Sequence, residues 1–249
     1  MPLTISVLIP THGRTAQLAE AVQSFLCQDW HGIKECIILN DCPRQFLVCN
    51  APDVRVINIG ERIQPLGHKR NMLAAFARRE FLAWLDDDDI WLPHHLSTVA
   101  GYLRDGNRGS RCSWEYELNG DAYTLRPASP IRTSITRTSA FMETGGFAML
   151  DQGEDMEWHQ RTIAAGWWDG EHWQQTDRRA PSVIWRRTTA EGDPHADRHG
   201  AAEFDALTAA RFDRGEEPEG TVQIRPAWRD NYTAAVRDLY RPTSVSADL

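Results

Sequence analysis

The chain has 249 residues, which is long enough for one large domain or for one domain with an elaborated C-terminal part. Its 27 lysines and arginines against 35 aspartates and glutamates give a net charge of −8, which argues against a protein that holds nucleic acid mainly through a basic surface. No apolar run approaches the ~20 residues that span a bilayer, and the N-terminus lacks a secretory signal, so we predict a soluble, cytoplasmic protein without a transmembrane anchor.

The N-terminal part of the chain alternates predicted strands with predicted helices. Short apolar runs predict strands over residues 5–9, 36–39, 54–59 and 81–85. Helical spacing of apolar residues predicts one helix after the first strand and another over residues 67–79. This alternation predicts an α/β fold with a mostly parallel sheet.

The C-terminal part has weaker patterns. Residues 113–125 alternate around Asn119-Gly120, which predicts a hairpin and therefore antiparallel strands. A helix is predicted from about residue 154 to residue 165, between two glycines, and residues 201–212 have a helical composition.

Polar residues follow three of the predicted strands. Pro10-Thr11-His12, Asn40-Asp41 and the run 86–89 each stand at a strand's carboxyl end. In parallel α/β sheets ligands bind in the crevice outside these ends, so we expect the three clusters to converge on one site.

The run 86–89 consists of four consecutive aspartates between apolar flanks. Adjacent carboxylates at the end of a buried strand repel one another and require a nearby positive charge. Mg²⁺ or Mn²⁺ is the simplest candidate, because these ions bind hard oxygen ligands and often share their shell with a substrate's phosphates. The run therefore predicts a divalent metal and a phosphate-bearing substrate.

These motifs, in this order, resemble glycosyltransferase family 2, whose members transfer sugars from nucleotide-diphosphate donors and have the fold called GT-A. The resemblance covers roughly residues 3–170. It rests on Val7 to Arg14, Leu39-Asn40-Asp41, Lys69-Arg70-Asn71, Leu85 to Asp89, and Gly145-Gly146-Phe147 followed by Glu154-Asp155. We therefore expect a mixed, mostly parallel central sheet flanked by helices, with a variable C-terminal extension.

The resemblance also implies roles for individual residues. Asp41 would hydrogen-bond the base, Asp88 and Asp86 would hold Mn²⁺ or Mg²⁺, and Asp86 or Asp87 would lie near the ribose. Asp89 is expected in a supporting or capping role. The other residues implied at the nucleotide-sugar site are Pro10, Thr11, His12, Arg14, Asn40 and Arg70.

The acidic pair Glu154-Asp155 supplies the catalytic carboxylate in this resemblance, with Asp155 as general base and an inverting single displacement. A general base must be ionised, and the start of a helix favours an ionised carboxylate. Some enzymes of this fold use a late histidine as an extra metal ligand, which makes His195 and His199 candidates.

The same resemblance divides the chain. Residues 1–187 are predicted to form the transferase domain, with a nucleotide-sugar-binding half at 1–100 and an acceptor-binding half at 101–187. Residues 188–249 would form an extension of unspecified structure. A UDP-sugar is the favoured donor. The acceptor is left open among glycans, small molecules, lipid-linked molecules, proteins and nucleic acids, and the oligomeric state is left open as well.

Two alternatives compete with this interpretation. A nucleotidyltransferase of related fold also needs metal-binding carboxylates beside a phosphate, but it usually has a glycine-rich loop after the first strand, and here residues 11–14 contain one glycine. A catalytically silent sugar-binding module would keep the fold without the chemistry. The presence of Asp88 and Asp155 argues against that second alternative.

Overall fold

A sheet of seven strands forms the centre of the protein, which a computed structural model describes over residues 3–103, 106–168, 173–175, 181–187, 200–237 and 239. The strands are β1 (Thr4–Thr11), β2 (Ile33–Asn40), β3 (Gln45–Val48), β4 (Val54–Asn58), β5 (Phe81–Trp84), β6 (Ile90–Trp91), β7 (Gly109–Arg111), β8 (Trp114–Asn119), β9 (Ala122–Pro127), β10 (Ser134–Arg137), β11 (Trp173–Gln175), β12 (Val183–Arg187) and β13 (Gly220–Gln223). The helices are α1 (Thr15–Leu26), α2 (Leu66–Phe76), α3 (His95–Tyr102), α4 (Thr138–Glu143), α5 (Glu154–Ala164), α6 (Ala201–Asp213) and α7 (Tyr232–Arg237).

The strand order of the central sheet is β11-β7-β10-β5-β1-β2-β4. Strand β10 is antiparallel to both of its neighbours, and the other pairs are parallel. The predicted α/β fold with a mixed, mostly parallel sheet flanked by helices is confirmed.

Strand β1 lies in the middle of this sheet and is buried on both faces. Its side chains alternate, so Ile5, Val7 and Ile9 pack in the core layer that contains α1, while Leu8 packs in the layer that contains α2. Such two-sided burial explains why the strand reads as a continuous apolar run. The polar residues that follow β1 are therefore held at a fixed edge of the molecule.

The predicted hairpin is β8 and β9, which pair antiparallel from Trp114 with Pro127 to Asn119 with Ala122. Gly120 has φ +61°, a left-handed conformation that glycine adopts without strain, at the turn between these strands. The hairpin belongs to a separate four-stranded sheet of order β6-β12-β8-β9.

Helix α2 ends earlier than the helix predicted over residues 67–79. It ends at Phe76, and Ala77 takes an extended conformation.

Residues 200–237 pack against the N-terminal part of the chain. Strand β13 pairs in parallel with β3, and the backbone N–H of Ile224 continues this ladder to the carbonyl of Val48 at 2.8 Å. Glu217 accepts hydrogen bonds from the backbone N–H and the hydroxyl of Thr15, at 3.1 and 2.8 Å, at the start of α1. Within the described part of the chain, no helix is long and apolar enough to cross a membrane.

Glu20 of α1 joins the C-terminal segment to the core. Its buried carboxylate accepts hydrogen bonds from Arg186 of β12 at 2.6 Å, from Arg229 at 2.7 Å and from the hydroxyl of Tyr232 at 2.7 Å. Burial alone would raise the pKa of Glu20, but Arg229 and Arg186 outweigh it and lower that pKa to about 2.

We expect Glu20→Gln to lower the free energy of unfolding by about 3 kcal/mol at pH 7, because a buried cation loses its partner. The folded-state pKa of about 2 lies below the usual 4.5, so this stabilisation is complete above pH 4.5 and is lost as the pH falls towards 2. Urea unfolding at pH 7, 4.5 and 3 measures it, with the exposed Glu61→Gln as the control. Equal stability of Glu20→Gln and wild type at pH 7 would contradict the stabilising role of the Glu20 carboxylate.

Candidate active site

A cavity of about 670 Å³ opens at the carboxyl edge of the central sheet. Strands β1 and β5 are parallel neighbours in register from Ile5 with Phe81 to Leu8 with Trp84, so the segments that follow them emerge side by side. The predicted residues that line the cavity are Pro10, Thr11, His12, Arg14, Arg70, Asp86, Asp87, Asp88, Glu154 and Asp155.

Arginines pair with the first three aspartates of the acidic run. Arg14 lies 2.5 Å from a carboxylate oxygen of Asp87 and 2.6 Å from one of Asp88, and Arg70 donates to Asp86 at 2.8 Å. The Asp87 side chain is fully enclosed, whereas those of Asp86 and Asp88 are 24% and 12% exposed. Asp86 and Asp88 are thus the two carboxylates of the run that a ligand in the cavity can reach.

Asp87 shows the electrostatic cost of this arrangement. Burial and the neighbouring charge of Asp88 raise the pKa of Asp87 to about 6, although Arg14 opposes the shift. Additional positive charge in the cavity would therefore stabilise the ionised run.

Asp89 lies outside the cavity lining. It is buried, its carboxylate accepts from Arg132 at 3.4 Å and from the backbone N–H of Arg186 at 3.4 Å, and burial raises its pKa well above the usual value. The supporting role expected for Asp89 stays a prediction.

Asp41 forms the centre of a buried ionic cluster behind the cavity wall. Its carboxylate accepts from Lys69 at 2.7 Å, from Arg62 at 2.7 Å and from the backbone N–H of Ile63 at 2.9 Å, and Nδ1 of His12 lies 2.9 Å away. Burial alone would raise the pKa of Asp41, but Lys69 and His12 outweigh it and hold that pKa far below its usual range.

Lys69 is a site residue to which sequence reasoning gave no role. Its ammonium group is buried and bridges Asp41 to the backbone carbonyl of Thr11, with both distances 2.7 Å. The bridge ties the end of β1 to the turn after β2. A buried lysine is rare unless paired, and its place in the motif beside Arg70 was the available signal.

Asn40 has a local role in the same turn. Its side-chain amide donates to the carbonyl of Gln45 at 3.0 Å and to Asn58 at 3.0 Å, and its oxygen accepts from the backbone N–H of Cys42 at 3.1 Å. Neither Asn40 nor Asp41 lines the cavity in this structure. Their part in nucleotide binding stays a prediction.

Helix α5 brings Glu154 and Asp155 to the same cavity. Gly153, with φ +73°, precedes the helix and turns the chain into it. Glu154 is 3% exposed and lies 3.1 Å from Nε of Arg70, whereas Asp155 is partly exposed and its carboxylate accepts from the backbone N–H of Met156 at 2.7 Å.

The electrostatics of Glu154 differ from the sequence-based expectation. Burial raises the pKa of Glu154 to about 7, although Arg70 opposes the shift. The start of a helix favours an ionised carboxylate by a smaller amount than desolvation costs at this site. Enclosure of Glu154 therefore opposes the ionisation that the helix start favours.

The accessible carboxylates suit a hard divalent cation. Asp86 and Asp88 offer oxygen ligands of the kind that Mn²⁺ and Mg²⁺ prefer, and one or two carboxylates are enough when a substrate's phosphates complete the shell. Among the residues that the structure describes, no group of three or more histidine, cysteine, aspartate or glutamate side chains forms a metal cluster. His195 and His199 lie outside the described residues.

The cavity lining also contains residues that sequence reasoning did not assign, among them Arg62, Arg126, Arg132 and Phe204. Phe204 belongs to α6, far from the motifs in sequence. The sequence predicted a helix over residues 201–212. Nothing in those residues indicates which part of the molecule the helix packs against.

A model of glycosyl transferase family 2 matches residues 6–162. The chain belongs to glycosyltransferase family 2. An uncharacterized glycosyltransferase from Haemophilus influenzae is 26% identical over 161 residues, which cover 61% of this chain and 53% of that protein. The chain thus spans about half the length of this curated relative.

Two solved structures show the same fold. S. aureus TarS in complex with UDP-GlcNAc has a TM-score of 0.58 and 15% identity, and the match covers 85% of this chain and 72% of that chain. A mannosyltransferase from Pyrobaculum calidifontis in complex with GDP-Man and Mn²⁺ has a TM-score of 0.54 and 16% identity, over 88% of this chain and 66% of that chain. The predicted family and GT-A fold are confirmed, and the family match replaces the nucleotidyltransferase alternative.

We expect Asp41→Asn to lower the free energy of unfolding by about 3–5 kcal/mol, because Lys69 would stay buried without its carboxylate. The double variant Asp41→Asn/Lys69→Met should recover part of that loss, as residues that share one ionic network are not additive. Melting temperatures measure both, with Asp213→Asn as the control in an exposed pair with Arg44. A double variant whose loss of stability equals or exceeds the sum of the two single losses would contradict the coupling.

Proposed function

We propose that this protein transfers a sugar from a nucleotide-diphosphate donor, with a UDP-sugar favoured, to an acceptor hydroxyl by an inverting single displacement. The observation that carries the proposal is the composition of the cavity. Accessible carboxylates for a cation and a partly exposed carboxylate at a helix start line one cavity, and Arg70 contacts both the acidic run and the start of that helix.

The donor's diphosphate is assigned to the wall formed by the acidic run. A divalent Mn²⁺ or Mg²⁺ held by Asp88 and Asp86 would neutralise the charge that develops on the departing diphosphate. Asp87 is unsuited to contact that ion directly, because its side chain is enclosed behind Arg14. The Mn²⁺ in the Pyrobaculum calidifontis mannosyltransferase supports the choice of metal.

Arg14 and Arg70 supply fixed positive charge beside the same group. Each guanidinium is already oriented by carboxylates, Arg14 by Asp87 and Asp88 and Arg70 by Asp86 and Glu154. Charges oriented before the substrate arrives need little reorganisation during the reaction, which is the condition for effective electrostatic stabilisation.

Asp155 is assigned as the general base. Its carboxylate takes the proton of the acceptor hydroxyl while that oxygen forms a bond to the anomeric carbon and the bond from this carbon to the diphosphate oxygen breaks. The nucleoside diphosphate leaves from the opposite face, so the configuration inverts. Glu154 is nearly enclosed and paired with Arg70, which favours a positioning role over proton transfer.

The direct test is Asp155→Asn, because the amide keeps the shape of the side chain and cannot accept the proton. Release of UDP from a panel of UDP-sugars, with water as the acceptor, should fall at least about 100-fold, within the range that a general base contributes. The dissociation constant for UDP with Mn²⁺ should change less than about threefold, because Asp155 is placed on the acceptor side.

Glu157→Gln is the matched control, since Glu157 lies in the same first turn of α5, pairs with Arg161 and does not line the cavity. We expect its UDP release to equal that of the wild type. Wild-type release by Asp155→Asn would contradict its role as base, and absence of release by the wild type with every donor would contradict the donor class.

A further inference from the structure

Two arginines that line the cavity have no role in the proposed transfer. Arg126 lies at the end of β9, and Arg132 lies just before β10. We propose that their guanidiniums form an anion subsite, and that the acceptor carries a phosphate or carboxylate group that binds there. This inference rests on the proposed function and names the chemical class of the acceptor that the same cavity takes.

The segment from β9 to β10 forms a continuous part of the cavity lining. Its lining residues are Arg126, Pro127, Ala128, Ser129, Pro130 and Arg132. The backbone N–H of Ala128 donates to the carbonyl of Ser113 at 3.0 Å, and the hydroxyl of Thr133 donates to the carbonyl of Ser129 at 2.8 Å. These bonds hold the backbone between the two arginines in place at the cavity.

A tryptophan and a buried carboxylate lie beside both guanidiniums. The guanidinium carbons of Arg126 and Arg132 lie 4.4 and 5.2 Å from the centroid of the Trp185 ring. The oxygens of Glu115 lie 3.6 Å from Nε of Arg126 and 3.8 Å from Nε of Arg132. The two arginines are therefore neighbours, and their like charges repel each other unless an anion lies near both.

Glu115 offsets this repulsion only in part. Its side chain is 1% exposed, and both of its distances to the arginines exceed the roughly 2.7–3.2 Å of an ordinary hydrogen bond. Burial raises the pKa of Glu115, although Arg132 and Arg126 oppose the shift. An anion on the cavity side would therefore complete the neutralisation of the pair.

The carboxylates that contact these arginines do not line the cavity. Arg126 also lies 3.4 Å from Glu117. Arg132 also lies 3.4 Å from Asp89. The cavity lining contains both arginines but not Glu115, Glu117 or Asp89. Because the Arg126 side chain is 39% exposed as well, a ligand in the cavity can reach its guanidinium without displacing a cavity-lining carboxylate.

The donor's phosphates have cations of their own. Arg14 and Arg70 contact the acidic run at 2.5 to 2.8 Å, where the proposed metal ion would also bind. Arg126 and Arg132 instead belong to residues 101–187, the part of the chain predicted to bind the acceptor. A guanidinium binds carboxylate and phosphate through paired N–H donors, so these two arginines are suited to an anionic group on the acceptor.

Arg126→Gln tests the proposal, because it removes the charge of the more exposed arginine and keeps a polar side chain. Sulfate and glucose 6-phosphate are the probes, titrated calorimetrically at constant ionic strength into protein saturated with UDP and Mg²⁺. We expect both anions to bind the wild type with dissociation constants below about 10 mM, and glucose, which has no anionic group, to bind at least about tenfold more weakly. In Arg126→Gln the dissociation constants for both anions should rise at least about tenfold, while that for UDP should change less than about twofold.

Arg187→Gln is the matched control. Arg187 is 45% exposed and lies 3.3 Å from Glu117, much as Arg126 does, but it does not line the cavity. The substitution changes the net charge by the same amount and should keep wild-type affinity for both anions. Equal weakening by Arg187→Gln and Arg126→Gln would overturn the local subsite in favour of a general effect of net charge.

The outcomes separate this inference from the proposed function. If the wild type binds UDP but neither anion, or if Arg126→Gln binds the anions as tightly as the wild type, the anion subsite is overturned while the proposed function stands. Weaker binding of UDP by Arg126→Gln, or displacement of the anions when a UDP-sugar replaces UDP, would assign the arginines to the donor and overturn the acceptor class. If the wild type binds no nucleoside diphosphate, the proposed function fails and this inference fails with it.

Discussion

Concentrated negative charge at the carboxyl edge of the central sheet is the constraint on which the rest of the site depends. The acidic run after β5, Asp41 after β2 and the acidic start of α5 all face this edge. Three largely buried cations, Arg14, Lys69 and Arg70, neutralise part of this charge. Burial still raises the pKa of Asp87 to about 6, so these cations do not fully offset the cost of enclosing its charge.

The helices that deliver these cations also set the shape of the cavity. Helix α2 carries Lys69 and Arg70, and a Cβ on Gly67 at its start would lie 1.9 Å from the carbonyl oxygen of Ala148. Because α2 approaches the loop before α5 this closely, Arg70 reaches both Asp86 and Glu154. One guanidinium therefore holds the acidic run and the start of α5 at a fixed separation.

Much of the fold was predictable because the central strands are apolar and flanked by turn residues. The convergence of Pro10, Asp41 and the acidic run on one edge followed from the parallel sheet alone. The partners of Asp41 were not predictable, since Lys69 and Arg62 reach it from elements that lie distant in sequence. Strands of two to four residues, such as β6 and β13, are too short for periodicity to indicate, and they form because the tertiary fold supplies a partner.

Local sequence also misjudged the balance of forces at single groups. The start of α5 predicted ionised carboxylates, yet enclosure of Glu154 raises its pKa to about 7. The helical pattern of residues 201–212 predicted α6 but not its position, because its docking depends on Gly13 and on Arg62. Both features depend on burial, which a linear pattern does not specify.

Thermal stabilisation by UDP-, dTDP-, GDP- and CDP-sugars, each with and without Mn²⁺, tests the central claim most directly. A ligand that binds only the folded state at 100 times its dissociation constant stabilises it by about 2.7 kcal/mol. For a chain of this size the melting temperature should then rise by about 5–10 °C with one nucleotide, and by less when Mn²⁺ is omitted. No rise with any of the sugar nucleotides, in the presence or absence of Mn²⁺, would contradict the account and favour a catalytically silent module.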